Sequence, residues 1–252
     1  LGVPAKIAAV LSAQGIDTPF PIQVDSLPDT LAGRDVLGRG KTGSGKTLAF
    51  GIPMVARLAV SSNSNHGMRK PRGLVLAPTR ELATQITNAL QPLANAMDLR
   101  VTTIFGGVPQ KKQVQALRDG VEIIVATPGR LEDLMAQGIL KLDAIEITVL
   151  DEADHMADLG FLPGVTRILN ATPRGGQRLL FSATLDNGVK KLVDKFLQNQ
   201  VMHAVDEANS PVTQMTHHVL EASDAEAKKR LVYALASGTG RRILFMRTKH
   251  HA

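Results

Sequence analysis

The sequence predicts an open α/β fold, a parallel sheet covered by helices on both faces, and three observations carry that expectation. From Asp35 onward, short apolar β-rich runs alternate with helical patterns over most of the chain. Several of those runs, such as Leu74-Val75-Leu76-Ala77 and Ile123-Ile124-Val125-Ala126, are apolar at every position. That suits strands buried on both sides rather than strands with one wet face. The third observation is the stretch 40–47, GKTGSGKT, which fits the phosphate-loop pattern G-x-x-x-x-G-K-[ST] between a strand-like run at 35–38 and a helix-like run from Leu48. In folds of this class ligands bind at the C-terminal ends of the strands.

Taken in order, residues 4–14 read as a short helix and 15–23 as a turn-rich segment. Strands are expected at 35–39, 73–77, 100–105, 121–126, 146–150 and 178–182. Helices are expected between them at 46–60, 80–97, 108–118, 130–137, 161–170 and 186–197. Residues 61–72 (SSNSNHGMRKPR) are polar with a Gly and a Pro, and read as a mobile surface loop. After about Val205, residues 206–211 (DEANSP) read as a linker, followed by a strand at 216–222, a helix at 224–236 and a strand at 241–247. Domain 1–207 therefore precedes a segment, 208–252, that is too short for a core of its own and resembles the opening of a second domain. An apolar fragment of that kind is expected to pack on the first domain or to exchange with a second copy.

Composition narrows the partner. Among 252 residues the net charge is +6, which favours a polyanion. Aromatic residues are scarce, with 7 Phe, 1 Tyr and no Trp, so a nucleic acid would be held by its phosphates rather than by base stacking. The absence of cysteine excludes disulfides, thiolate zinc sites and cysteine nucleophiles. No membrane span or signal pattern is visible, and a cytoplasmic protein is expected.

The chemistry is concentrated in two stretches. Gly40, Lys41, Thr42, Gly43, Ser44, Gly45, Lys46 and Thr47 form a loop whose backbone N–H groups curl around a polyphosphate at a helix N-terminus. Lys46 would reach the terminal phosphates and the Thr47 hydroxyl would ligate Mg²⁺. The second stretch is Asp151-Glu152-Ala153-Asp154, where acids appear as an apolar strand ends. Hydrolysis of a phosphoanhydride needs one carboxylate for Mg²⁺ and another for the attacking water, roles that suit Asp151 and Glu152 respectively.

With both stretches in hand, the chain resembles a DEAD-box ATP-dependent RNA helicase along essentially its whole length. The resemblance implies a RecA-like P-loop NTPase domain, ATP and Mg²⁺ as cofactors, and RNA as partner. It also implies that the segment from Gly15 through Ile16 to Gln23 reads adenine, the Gln23 amide offering a donor and an acceptor together. Pro78, Thr79 and Arg80, then Gly106 and Gly107, then Thr127, Pro128, Gly129 and Arg130 match the segments that grip RNA by sugar and phosphate. Arg80 could instead serve a structural ion pair. Ser182 and Thr184 match the motif whose hydroxyls bond the acidic stretch at Asp154 and couple hydrolysis to strand separation.

Three departures qualify the resemblance. Gly40 stands where the family usually has Ala, an upstream aromatic residue for adenine is absent, and no later arginine-rich motif is present. Residues 1–252 alone are accordingly expected to bind nucleotide and part of an RNA strand but to hydrolyse and unwind poorly. Two rival readings are a P-loop DNA helicase or translocase, which would not need Gln23, and a nucleotide-binding scaffold without turnover. The intact Lys46, Asp151 and Glu152 weigh against the scaffold.

Overall fold

The computed structural model describes residues 1–61, 70–205, 218–237, 239–240 and 243–244. Seven strands form one sheet: β1 (Val36–Arg39), β2 (Gly73–Leu76), β3 (Val101–Ile104), β4 (Ile123–Ala126), β5 (Ile147–Leu150), β6 (Gln177–Ser182) and β7 (Val201–Ala204). Their order is β3-β4-β2-β5-β6-β1-β7 and every pairing is parallel. All seven C-terminal ends therefore share one edge.

Side chains alternate across a strand, and here successive residues feed two separate cores. Val36, Val75, Val149, Leu179 and Phe181 face one core. Leu37, Leu74, Leu76, Leu150 and Leu180 face the other. The first core is covered by α1 (Ala5–Ala13), α2 (Pro21–Leu31), α3 (Lys46–Ser61) and α4 (Arg80–Ala96). The second is covered by α5 (Lys111–Asp119), α6 (Pro128–Ala136), α7 (Ala153–Asp158), α8 (Leu162–Asn170) and α9 (Asn187–Phe196). The expected parallel sheet with helices on both faces is what the chain forms.

Three elements were not legible beforehand. The sequence at α2 begins with Pro21 and carries Pro28 inside, yet Pro at the first helical position costs no hydrogen bond and Ile22 and Leu27 bury fully against the core. Helix α7 is only six residues long. Strand β7 has no long apolar run, and it exists because Val36 to Arg39 pair with Val201 to Ala204 along an otherwise open edge. Helix α6 also starts earlier than expected, with Pro128 inside its first turn.

By contact the chain divides into two units, Leu1–Asp206 and Glu207–Ala252. In the second, α10 (Ala225–Ala236) matches the expected helix, with the Asp224 carboxylate accepting the Ala227 N–H at 2.7 Å. Residues 218–222 and 243–244 are not strand, and the rest of the two strands expected there lies outside the described residues. The loop expected at 61–72 likewise falls mostly outside them, at 62–69, as does the linker expected at 206–211.

Candidate functional site

Strands β5, β6 and β1 are neighbours, so the loops that follow them meet at the shared C-terminal edge. The phosphate-loop stretch joins β1 to α3. Gly43 and Gly45 both adopt left-handed backbone at φ +87° and +88°, which exposes successive N–H groups at the α3 N-terminus. Lys46 is buried, and its Nζ donates to the Gly40 carbonyl at 2.7 Å, so the lysine is held over its own loop. Ser44 Oγ donates to the Lys41 carbonyl at 2.8 Å, while Thr47 is half-buried in the first turn of α3.

Gln23 is buried and has two partners inside the protein. Its Nε2 donates to the Gly45 carbonyl at 2.8 Å and its Oε1 accepts the Phe20 N–H at 3.0 Å. The amide thus ties the 15–23 segment to the phosphate loop, and one N–H and one lone pair remain for a ligand. Ile16, Pro19 and Gln23 line a cavity of about 310 Å³ between α1, α2 and α3.

Asp151 continues the sheet beyond β5, its N–H donating to the Leu76 carbonyl. Its carboxylate is only 3% exposed, and burial pushes its pKa up to about 6 although nearby Lys46 pulls the other way. Glu152 follows in left-handed backbone, φ 52° and ψ 54°, which is uncommon for a residue with a side chain. Both of its carboxylate oxygens are held: Thr42 Oγ1 donates to Oε1 at 3.0 Å, and His155 Nδ1 lies 3.3 Å from Oε2. Neither contact was read from the sequence. The i,i+3 spacing of Glu152, just before α7, and His155 within it was the available signal, whereas nothing local announces Thr42.

These residues fit a magnesium ion that arrives with a polyphosphate. Among the described residues no group of three or more His, Cys, Asp or Glu could hold a metal by itself. Asp151 offers one buried carboxylate poor in partners, and Mg²⁺ characteristically takes one or two carboxylates, waters and substrate phosphates. Thr47 could add its hydroxyl.

The expected link between Asp154 and the 182–184 motif is present. Asp154 Oδ2 accepts from the Ala183 N–H at 3.2 Å, the Thr184 N–H at 2.9 Å and Thr184 Oγ1 at 3.0 Å. The Asp154 N–H in turn donates to buried Ser182 Oγ at 3.1 Å. Partial burial raises the Asp154 pKa, but the bonds from Thr184 and Ser182 outweigh it and hold the carboxyl below its ordinary value.

The remaining candidates follow β2, β3 and β4, which are also neighbours. Thr79 caps α4 by accepting the Leu82 N–H at 3.1 Å. Pro78, Thr127 and Pro128 are buried and shape the turns, whereas Arg80, Gly107 and Gly129 are exposed. Among the described residues Arg80 has a ring and no ion partner, its guanidinium lying 5.3 Å from the Phe105 centroid. Arg130 donates twice to the Val108 carbonyl at 3.2 Å, and Gln113 Nε2 donates to the Phe105 carbonyl at 2.9 Å. The loop carrying Gly106 and Gly107 is therefore clasped from three sides.

Comparison with known proteins gives this edge a name. The model of the DEAD/DEAH box helicase family matches residues 20–192, which include every segment described above except part of the 15–23 turn. The chain belongs to that family. Similar proteins include the mitochondrial DEAD-box ATP-dependent RNA helicase 9 of Arabidopsis thaliana, 37% identical over 257 aligned residues. That alignment covers 100% of this chain and 42% of the relative. The ATP-dependent RNA helicase RhlB of Pasteurella multocida is 38% identical, over 97% of this chain and 58% of that one. Among solved structures, a DEAD box protein from Methanococcus jannaschii superposes with a TM-score of 0.74 at 29% identity, over 94% of this chain and 62% of that one. A hypothetical ATP-dependent RNA helicase from Sulfolobus tokodaii gives 0.72 at 32% identity, covering 93% of this chain and 65% of that one. This DEAD-box chain thus spans about two-fifths to two-thirds of the length of these relatives. No helix among the described residues is long and apolar enough to cross a membrane.

Proposed function

We propose that residues 1–207 bind Mg²⁺·ATP and a single strand of RNA, and supply the hydrolytic groups of an ATP-dependent RNA helicase. The observation that carries this reading is the convergence of Lys46, Asp151 and Glu152 at one edge, with Glu152 hydrogen-bonded to the phosphate loop. Bound there, ATP supplies the phosphoanhydride and Mg²⁺ the positive charge that steadies it. Lys46 would exchange the Gly40 carbonyl for a phosphate oxygen, and Asp151 and Thr47 would hold the metal. Gln23 would read the adenine edge with its remaining donor and acceptor. Glu152, once released by Thr42, would orient the attacking water and take its proton. Asp154 would pass the change to Ser182 and Thr184.

The RNA strand would lie along the ends of β2, β4 and β3 against Thr79, Arg80, Gly106, Gly107, Gly129 and Arg130, with Pro78, Thr127 and Pro128 fixing the turns. Such contacts reach sugar and phosphate, so little base preference is expected. Residues 208–252 would open a second RecA-like domain, a reading supported by alignment of the whole chain to relatives more than twice its length. Self-association through that segment belongs to the same proposal.

The test is RNA-stimulated ATP hydrolysis, with single-stranded DNA as the comparison nucleic acid. Residues 1–252 are expected to turn over slowly and to respond to RNA more than to DNA. Glu152→Gln should lower turnover by at least about a hundredfold, the usual loss for a general base, while leaving ADP binding intact. Equal stimulation by DNA would favour a DNA translocase, and turnover indifferent to Glu152→Gln would remove the proposed mechanism.

A further inference from the structure

The Glu152 carboxylate is held at both oxygens, and the two contacts come from different parts of the chain. Thr42 Oγ1, in the phosphate loop, donates to Oε1 at 3.0 Å, whereas His155 Nδ1, in α7, lies 3.3 Å from Oε2. Thr42 has to let go before Oε1 can meet a water, so its contact is broken when the loop takes a polyphosphate. The contact to Oε2 need not be.

Glu152 immediately precedes α7, and its carbonyl accepts the Met156 N–H at 3.0 Å, so its backbone and the His155 ring belong to one helical turn. The ring therefore travels with the carboxylate whatever the phosphate loop does. A glutamate side chain has several rotatable bonds, and its backbone alone does not fix where the carboxylate points. A donor on Oε2 does. Because a carboxylate only accepts hydrogen bonds, the contact requires an imidazole proton on Nδ1.

The same residue reaches the other acid through its main chain. The His155 N–H donates to Asp154 Oδ1 at 3.1 Å, while Oδ2 of that carboxylate collects the donors of Ala183 and Thr184. Residue 155 is thus bonded to both acids at once, to Asp154 by its backbone and to Glu152 by its ring. Its side chain is 45% exposed. An exposed pair of this kind adds little to stability, so the contact matters for direction more than for holding the fold.

We propose that His155 is a positioning residue for ATP hydrolysis: its Nδ1–H holds Oε2 of Glu152 so that Oε1 faces the attacking water, and its backbone ties that alignment to the Asp154 link with 183–184. A base that is itself oriented by a third group is the arrangement that commonly activates nucleophiles. The proton of the water passes to Glu152 Oε1, and His155 keeps its own. The inference rests on the ATPase reading, since it needs Glu152 to be the base.

The experiment pairs ring spectroscopy with turnover of residues 1–252. In ¹⁵N spectra of the histidine rings in alkaline buffer, with and without Mg²⁺·ADP, the signal that His155→Leu removes is expected to be that of a ring protonated at Nδ1. His155→Leu, which keeps bulk without a donor, should lower kcat for RNA-stimulated ATP hydrolysis about ten- to a hundredfold, as for a slightly misplaced reacting group. KM and ADP affinity should change little, the pattern of an interaction made in the transition state. His155→Asn puts an amide N–H near the Nδ1 position and should restore most of kcat, which a space-filling role would not require. Because the side chain is exposed, both variants should melt at the parent's midpoint. A ring protonated only at Nε2, a kcat unchanged in His155→Leu, or an Asn variant no faster than the Leu variant would each overturn the proposal. Glu152→Gln measured alongside separates the two claims. If it abolishes turnover and His155→Leu does not, the positioning role alone fails. Turnover indifferent to Glu152→Gln removes the ATPase reading, and this inference with it.

Discussion

Asp151 is the residue whose environment is most at odds with its ordinary chemistry. Burial raises its pKa from 3.8 to about 6, so the folded chain holds this proton more tightly than the unfolded chain does. The resulting stability is fully present below about pH 4 and is lost as pH rises through about 6. Above that, an ionised carboxylate that is 3% exposed costs on the order of 2–3 kcal/mol. Asp151→Asn should therefore melt higher than the parent at pH 8, and the difference should disappear by about pH 4. Melts in the two buffers check this, and a gap that does not change with pH would show that burial is not what disturbs the group. The same variant should lose Mg²⁺-dependent nucleotide binding. Glu152 and His155 mark another residue-scale feature, a left-handed backbone that turns a carboxylate toward the phosphate loop.

Between elements, the most consequential joint is the one from the end of β5 to the end of β6. One carboxylate oxygen of Asp154 receives two backbone N–H groups and a hydroxyl from 183–184. Asp154→Ala would strip those donors of their acceptor, and because they are solvent-accessible the cost is expected to be about 1–2 kcal/mol rather than more. Denaturant unfolding measures that cost. ADP binding should survive while RNA-stimulated turnover falls, and normal stimulation would break the proposed coupling. A second joint lies inside the sheet, where Gly38 of β1 leaves room for the Phe181 ring of β6, itself packed on Phe50 at 5.5 Å between centroids. A methyl group at 38 would collide with that ring. Gly38→Ala should cost about 1–3 kcal/mol by overpacking, and an unchanged denaturation midpoint would mean that the ring moves freely.

For the whole molecule, the strand order decides which chemistry meets which. Strands β1, β6 and β5 gather the phosphate loop, Ser182 to Thr184 and the acidic stretch, while β2, β4 and β3 gather the three segments assigned to RNA. Strands β2 and β5 are adjacent, so the two halves touch, and the Asp151 N–H bonds the Leu76 carbonyl at that seam. Because the proposed nucleotide site exists only in the folded arrangement, Mg²⁺·ADP at about a hundredfold over its dissociation constant should add about 2.7 kcal/mol and raise Tm by roughly 5–10 °C. Lys46→Ala should abolish most of that shift. A full shift in Lys46→Ala would place the nucleotide elsewhere.

Several features were determined by the sequence alone. The phosphate loop, the acidic stretch and the apolar runs at 74–77, 123–126 and 148–150 announce themselves because each is contiguous. Short-range sterics and a strand buried on both faces leave their mark on neighbouring residues. The Asp154 link to 182–184 was also anticipated, through resemblance to the DEAD-box family rather than through spacing. Only the tertiary structure decided the contacts that join distant segments. Thr42 meets Glu152 across 110 residues, Gln23 meets Gly45 across 22, and Gln177 meets Thr30 across 147. It also made β7 a strand by pairing it with β1, and it turned Arg80 toward the Phe105 ring. Such contacts depend on strand order and register, which no local pattern encodes, because a side chain's own neighbours in sequence say nothing of which strand will lie beside it.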